Sequence, residues 1–214
     1  MPRNSPDLVQ ASHDGDLTKV RALLQSGVEV NSQNEHGMGA LLTFVPSMTE
    51  YLLSEGADPG VQTNEYGASV LAGLCYVTKV ECVRILLEHG ADPNQGRDET
   101  LETPLHHCLG GIHNSLGGQA DGDVEQVIRL LINHGANVNA KTKPRVESCN
   151  YWGLFTRGET PLHRAAAWGS SEVIEILLEA GANPSIEDIN GETPYMWAGW
   201  HKRGRKIVDL LKTS

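Results

Sequence analysis

The stretch "GETPLHRAAAWG", residues 158–169, decides how the whole chain is read. Thr160 is a good helix-capping residue, and Pro161 suits the first helical position, where its missing N–H costs nothing. Leu162, Ala165 and Ala166 then face one side, and the small alanines let a neighbouring helix come close. Gly169 ends that helix. In the segment that follows, Val173, Ile174, Leu177 and Leu178 fall on one stripe of helical period. Gly181 supplies the left-handed residue that stops this second helix. Two helices this short cannot bury their apolar faces alone, so the unit needs neighbours to stack on.

The chain supplies them. "ETPL" recurs at 102–105 and "GETP" at 191–194, with Pro161 and Pro194 separated by 33 residues. Apolar blocks ending in glycine recur as "VRALLQSGVEVN" (20–31), "TEYLLSEGADP" (49–59), "VRILLEHGADPN" (83–94), "VIRLLINHGANVN" (127–139) and "VIEILLEAGANP" (173–184). Their glycines are Gly27, Gly56, Gly90, Gly135 and Gly181. A sixth block, "KIVDLLKTS", closes the sequence without its glycine. Self-similarity at such a period is the mark of a repeat architecture.

This succession of Thr-Pro-Leu-His starts and Gly-Ala ends resembles the ankyrin repeat family over nearly the whole chain. The resemblance implies an all-α solenoid of stacked helix-turn-helix units with short β-turn fingers, in one domain over 1–214. Six repeats are expected, at 5–31, 37–59, 67–94, 101–139, 158–184 and 191–212. It also implies that His163 hydrogen-bonds within and between repeats, a structural role. Several repeats depart from the pattern. The first lacks the turn motif and suits a cap. In the second, the first helix would be "ALLTFV", cut off by Pro46. The third has "GASVLAGLCYV" in place of the motif, and the sixth has Tyr195 and Met196 where Leu-His is expected.

Two insertions stretch the spacing. Residues 110–122, "GGIHNSLGGQADG", are Gly-rich and polar and read as a mobile loop. Residues 141–157, "KTKPRVESCNYWGLFTR", fall where the family carries a finger and hold Tyr151, Trp152 and Phe155 beside Arg157. Aromatics and arginine are common interface anchors, although the same rings could instead cover the gap between repeats. Matching to the family places Tyr76, Trp168 and Trp200 on the groove, with mutual packing of Trp168 and Trp200 as the alternative; Trp197 matches a core position. Residues 1–140 carry 7 basic and 18 acidic side chains, and residues 141–214 carry 10 and 9. The basic run "HKRGRK", 201–206, includes His201 and Lys202 and reads either as a solvated end or as a site for an acidic partner segment.

The expected function is therefore non-catalytic recognition of a protein or peptide partner through Tyr76, Tyr151, Trp152, Phe155, Arg157, Trp168, Trp200, His201 and Lys202. A regulatory or inhibitory subunit that blocks an enzyme would use the same surface. A metal- or small-molecule-binding protein built on His106, His107, Cys108 and His113 is the remaining reading, but zinc sites favour paired clusters at fixed spacing. "DGDVE" at 121–125 lacks the closing Glu of a calcium loop, and no glycine run carries a phosphate-binding Lys-Ser/Thr. No cofactor, catalytic residue or metal ligand is assigned. The formal charge of −10 argues against sequence-independent nucleic-acid binding. No apolar run reaches the ~18 residues of a membrane span. Without a signal peptide, Cys75, Cys82, Cys108 and Cys149 are expected as reduced thiols in a cytoplasmic protein, a Cys75–Cys82 disulfide being the alternative.

Overall fold

The computed structural model describes residues 6–62, 67–114, 121–148 and 155–212. Among them are eleven helices: α1 (Pro6–His13), α2 (Leu17–Gln25), α3 (Pro46–Ser54), α4 (Val70–Tyr76), α5 (Val80–Glu88), α6 (Pro104–Asn114), α7 (Asp121–Asn133), α8 (Pro161–Trp168), α9 (Ser171–Glu179), α10 (Pro194–Trp200) and α11 (Arg205–Leu210). They form two rows. In the inner row α4 packs on α6, α6 on α8 and α8 on α10; in the outer row α3 packs on α5, α5 on α7, α7 on α9 and α9 on α11. Antiparallel pairs such as α8–α9 join the rows, and one apolar core runs between them. Leu105, Leu109, Val127, Ile128, Leu162, Ala165, Ile174 and Leu177 are all fully buried there.

The five block-ending glycines share one backbone state, with φ between 87° and 92°. Nothing lies within 4 Å of a Cβ built at any of them, so conformation and not space demands glycine there. At three junctions an asparagine then pins one repeat to the next. The Asn94 side chain donates to the Gly135 carbonyl (2.9 Å) and accepts from the Asn137 N–H (2.7 Å). Asn139 repeats this with Gly181 (3.0 Å) and Asn183 (2.8 Å), and Asn31 with Gly56 and Asp58. Isolated antiparallel bridges, Gln33–Gly39, Gln62–Ser69 and Glu147–Phe155, mark the fingers.

Two expectations need correction. "ALLTFV" forms no helix: residues 40–45 are turn and irregular chain. Val45 takes the extended conformation that a following proline imposes, and Pro46 opens α3, the outer helix of that repeat. Ala40, Leu41 and Thr43 still fill the inner row, held by Ser12–Ala40 (2.7 Å) and Thr43–Ser12 (3.1 Å) hydrogen bonds. The second correction concerns 110–122. Residues 110–114 continue α6 and residues 121–122 begin α7; residues 115–120 lie outside the described residues. Gly111 serves close packing, since a Cβ there would lie 2.2 Å from the Tyr76 carbonyl oxygen at the end of α4.

Candidate functional site

Repeats four, five and six meet around the finger, described at residues 141–148 and 155–157. Its described strands pair through Arg145 N–H to Thr156 O (2.6 Å) and Thr156 N–H to Val146 O (2.8 Å). Lys143 N–H ties it to the preceding turn at Thr100 O (2.7 Å). Below the finger lies a sealed ionic cluster that the sequence reading missed. Arg164, fully buried on α8, donates to Glu102 and Glu159 (2.6 Å each) and to the His106 carbonyl (3.0 Å). Ser148 and Thr142 from the finger donate to the same two carboxylates, at 2.6 and 2.7 Å, and Arg157 N–H adds 2.6 Å to Glu159. Burial alone would raise both carboxyl pKa values, but the Arg164 guanidinium and these hydrogen bonds hold them well below the usual range.

The motif histidines finish the network. His163 Nδ1 accepts from Thr160 N–H (3.1 Å) in a capping box, so the proton belongs on Nε2, which donates to the Glu192 carbonyl of the next repeat (3.0 Å). His106 does the same with Thr103 (3.2 Å) and the Glu159 carbonyl (3.3 Å). Burial lowers the pKa of His106 to about 3 and of His107 to about 4, so both are neutral at pH 7. Cys75, Cys82 and Cys108 are buried free thiols, with burial pushing Cys108 up to about 12; Cys149 lies outside the described residues. Among the described residues no group of three or more His, Cys, Asp and Glu is arranged to hold a metal ion.

Beside this cluster a cleft of about 200 Å³ opens between α8, α10 and the finger. Its walls are Phe155, Trp168, Trp197, Trp200 and His201, and its polar lining includes Arg157, Glu159 and Glu192. Phe155 (62% exposed) and Trp200 (73% exposed) stand at its lip. Half-buried Trp168 meets Trp197 edge-on at 6.3 Å and His201 at 5.3 Å. Trp197 is buried and donates its indole N–H to Asp188 (3.2 Å). Arg157 lies over the Trp197 ring at 5.3 Å and pairs with Asp188 (3.1 Å) and Glu192.

The cleft thus brings together five of the residues singled out in the sequence: Phe155, Arg157, Trp168, Trp200 and His201. Tyr76 is half-buried on α4, away from it. Lys202 is exposed with φ 53°, in the turn after α10. Tyr151 and Trp152 lie outside the described residues. The basic run is largely engaged within the chain. Arg203 donates to the carbonyls that end α8, Ala167 (2.7 Å) and Gly169, while Lys206 pairs with Glu172 and Glu175 and Arg205 with Asp209. Sequence reading missed Glu159, Glu192 and Arg164; it placed Trp197 in the core, where it is buried, without seeing that it backs the cleft. The usable signals were the glutamate that precedes Thr-Pro at 102, 159 and 192, and an arginine set among inward-facing residues of α8.

A family model for ankyrin repeats in three copies matches residues 43–142 and 118–214. The chain belongs to the ankyrin-repeat family. Among curated relatives it is 26% identical to a B-cell lymphoma 3 protein homolog of Mus musculus over 90% of its own length and 38% of that protein. It is 35% identical to human Rabankyrin-5 over 52% of its length and 8% of the relative's. Two solved structures share the fold. An ankyrin repeat domain from Acinetobacter baumannii is 24% identical over 95% of each chain, with a TM-score of 0.73. A chain from the complex of a Bdellovibrio bacteriovorus predatory endopeptidase with an immunity protein is 22% identical over 98% of each chain, with a TM-score of 0.71. Ankyrin repeats are generally protein–protein interaction modules, typically non-catalytic. Among the described residues no helix is long and apolar enough to cross a membrane.

Proposed function

We propose that this ankyrin-repeat chain recognises a protein or peptide partner through the cleft between repeats four and six, with Ser148, Phe155, Thr156 and Arg157 of the finger as its outer wall. One observation carries this reading: exposed Phe155 and Trp200 flank a concave, aromatic-lined space whose floor is locked by the Arg164 cluster. Large exposed rings around a concavity are what binding surfaces retain and solvent-facing surfaces shed. A rigid floor reduces the ordering cost on association. Among the other expected anchors, Arg157 supports the cleft from within, and His201 adds a wall. Tyr76, Lys202, Tyr151 and Trp152 remain assigned to the wider partner surface.

Blocking a single enzyme would use the same cleft, and the Bdellovibrio endopeptidase–immunity protein complex gives that version a relative in fold. The test is affinity capture with the wild-type chain against Trp200→Ala, followed by titration of the captured partner. Trp200 is exposed, so the variant keeps the fold, checked by its melting curve. The expected result is at least a ten-fold loss of affinity, the scale of an anchor residue worth about 1.4 kcal/mol or more. Equal affinity in both forms would remove the cleft from the interface.

A further inference from the structure

We infer that the cleft receives an arginine side chain from a basic segment of the partner. This deepens the proposed function and rests on it. The first support is a precedent inside the molecule. Arg157 already lies with its guanidinium 5.3 Å from the Trp197 ring centre, held by Asp188 and Glu192. The local chemistry of indole face plus carboxylate therefore accommodates a planar cation.

The second support is stoichiometry. Each guanidinium in the cleft and its floor is shared between two carboxylates: Arg157 between Asp188 and Glu192, and Arg164 between Glu102 and Glu159. The ionic skeleton under the aromatic walls therefore carries more negative than positive charge. Glu192, 15% exposed, lines the cleft, and Glu159 adds its charge from the sealed floor. Trp200, 73% exposed at the lip, supplies ring surface, while Arg157 lies over Trp197.

The third support is the long-range field. Residues 1–140 carry 7 basic and 18 acidic side chains, so the first four repeats draw a basic partner toward the groove. The basic run at 201–206 offsets this only in part: Arg205 and Lys206 pair with Asp209, Glu172 and Glu175, while Arg203 bonds neutral carbonyls and keeps its charge. An acidic partner segment would meet glutamates at the cleft; an arginine-bearing one meets indoles and carboxylates together.

The test uses the full chain and an immobilised heptapeptide library with random flanks and a fixed central residue: arginine, lysine, citrulline or glutamate. Arginine-centred peptides are expected to bind best, at least five-fold above citrulline, which keeps the shape and removes the charge. Trp200→Ala should lower the arginine signal about five-fold, and raising salt from 50 to 300 mM should weaken it further. Citrulline or glutamate centres binding as well as arginine, or lysine centres binding better, would overturn the arginine assignment. If those preferences still required Trp200, recognition through the cleft would stand without it. Binding indifferent to Trp200→Ala, or no binding by any peptide set, would remove both.

Discussion

Two arginines sit one repeat junction apart, and each bridges two carboxylates. Arg164, between repeats four and five, is wholly buried with Glu102 and Glu159; Arg157, between repeats five and six, is 36% exposed at the edge of the cleft with Asp188 and Glu192. The bonding is alike and the setting is not. Removing a partner from a sealed ion pair strands charge in a medium that cannot solvate it. At the outer junction water reaches the Arg157 guanidinium and the edge of Glu192, while buried Asp188 keeps N–H donors from Asn190, Glu192 and Trp197. The inner junction therefore acts as a fixed floor, and the outer one as part of a surface.

The largest expected effect tests that contrast directly. Arg164→Ala should cost about 3–5 kcal/mol in urea unfolding, because Glu102 and Glu159 lose their cation while remaining buried. Arg157→Ala should cost less, about 1–2 kcal/mol, because the guanidinium is partly exposed and buried Asp188 keeps three N–H donors. Similar losses for the two variants would break the comparison.

Acid sharpens it. His106 and His107 have pKa values lowered in the folded chain to about 3 and about 4, against about 6.5 when unfolded. The unfolded chain thus binds more protons below pH 6.5, and stability falls as pH falls. The slope is up to about 1.4 kcal/mol per pH unit for each histidine. The lowered carboxyl pKa values of Glu102 and Glu159 add a loss in the same direction below about pH 4.5. Denaturation curves at pH 7.5, 6.5 and 5.5 should show a loss of about 0.7 kcal/mol over the first step and about 2 kcal/mol over the second. A flat profile would mean that these histidines are solvated.

Gly111→Ala probes packing with no charge involved. Its Cβ would lie 2.2 Å from the Tyr76 carbonyl oxygen, so α4 and α6 must separate, at about 1–3 kcal/mol. No loss would show that the two helices slide apart freely. The smallest effect belongs to Lys202→Gly. Lys202 is exposed and left-handed (φ 53°), so glycine should relieve strain and stabilise by roughly 0.5 kcal/mol, read as a rise in Tm. A fall in Tm would show that the Lys202 side chain is anchored.

Most of the scaffold was legible along the chain. The spacing of Thr-Pro and Gly-Ala signals gave the paired helices, and the glycines at 27, 56, 90, 135 and 181 all adopt the left-handed state that their place in the pattern requires. The errors arose where one local signal had two outcomes. Pro46 could close one helix or open the next, and the inner-row packing of Ala40 and Leu41 without a helix decided for the second. Gly110 and Gly111 read as loop residues because glycine weakens helices; a close approach between α4 and α6 makes the same residue the one that fits.

The candidate site divides along the same line. Trp168 and Trp200 stood out as large rings at groove positions, and Phe155 as one of three rings in the finger insertion. Arg164, Glu102 and Glu159 did not, because a charge pattern does not say which charges face one another across 62 residues of chain. The sequence by itself determined the repeating unit, since helix period, capping and left-handed glycine are local properties that neighbouring residues fix. Only the tertiary structure decided which charges are sealed, which rings share a cleft and which cations are already engaged. Those outcomes depend on distances between repeats, and solvation, unlike helix propensity, is set by everything that packs around a group.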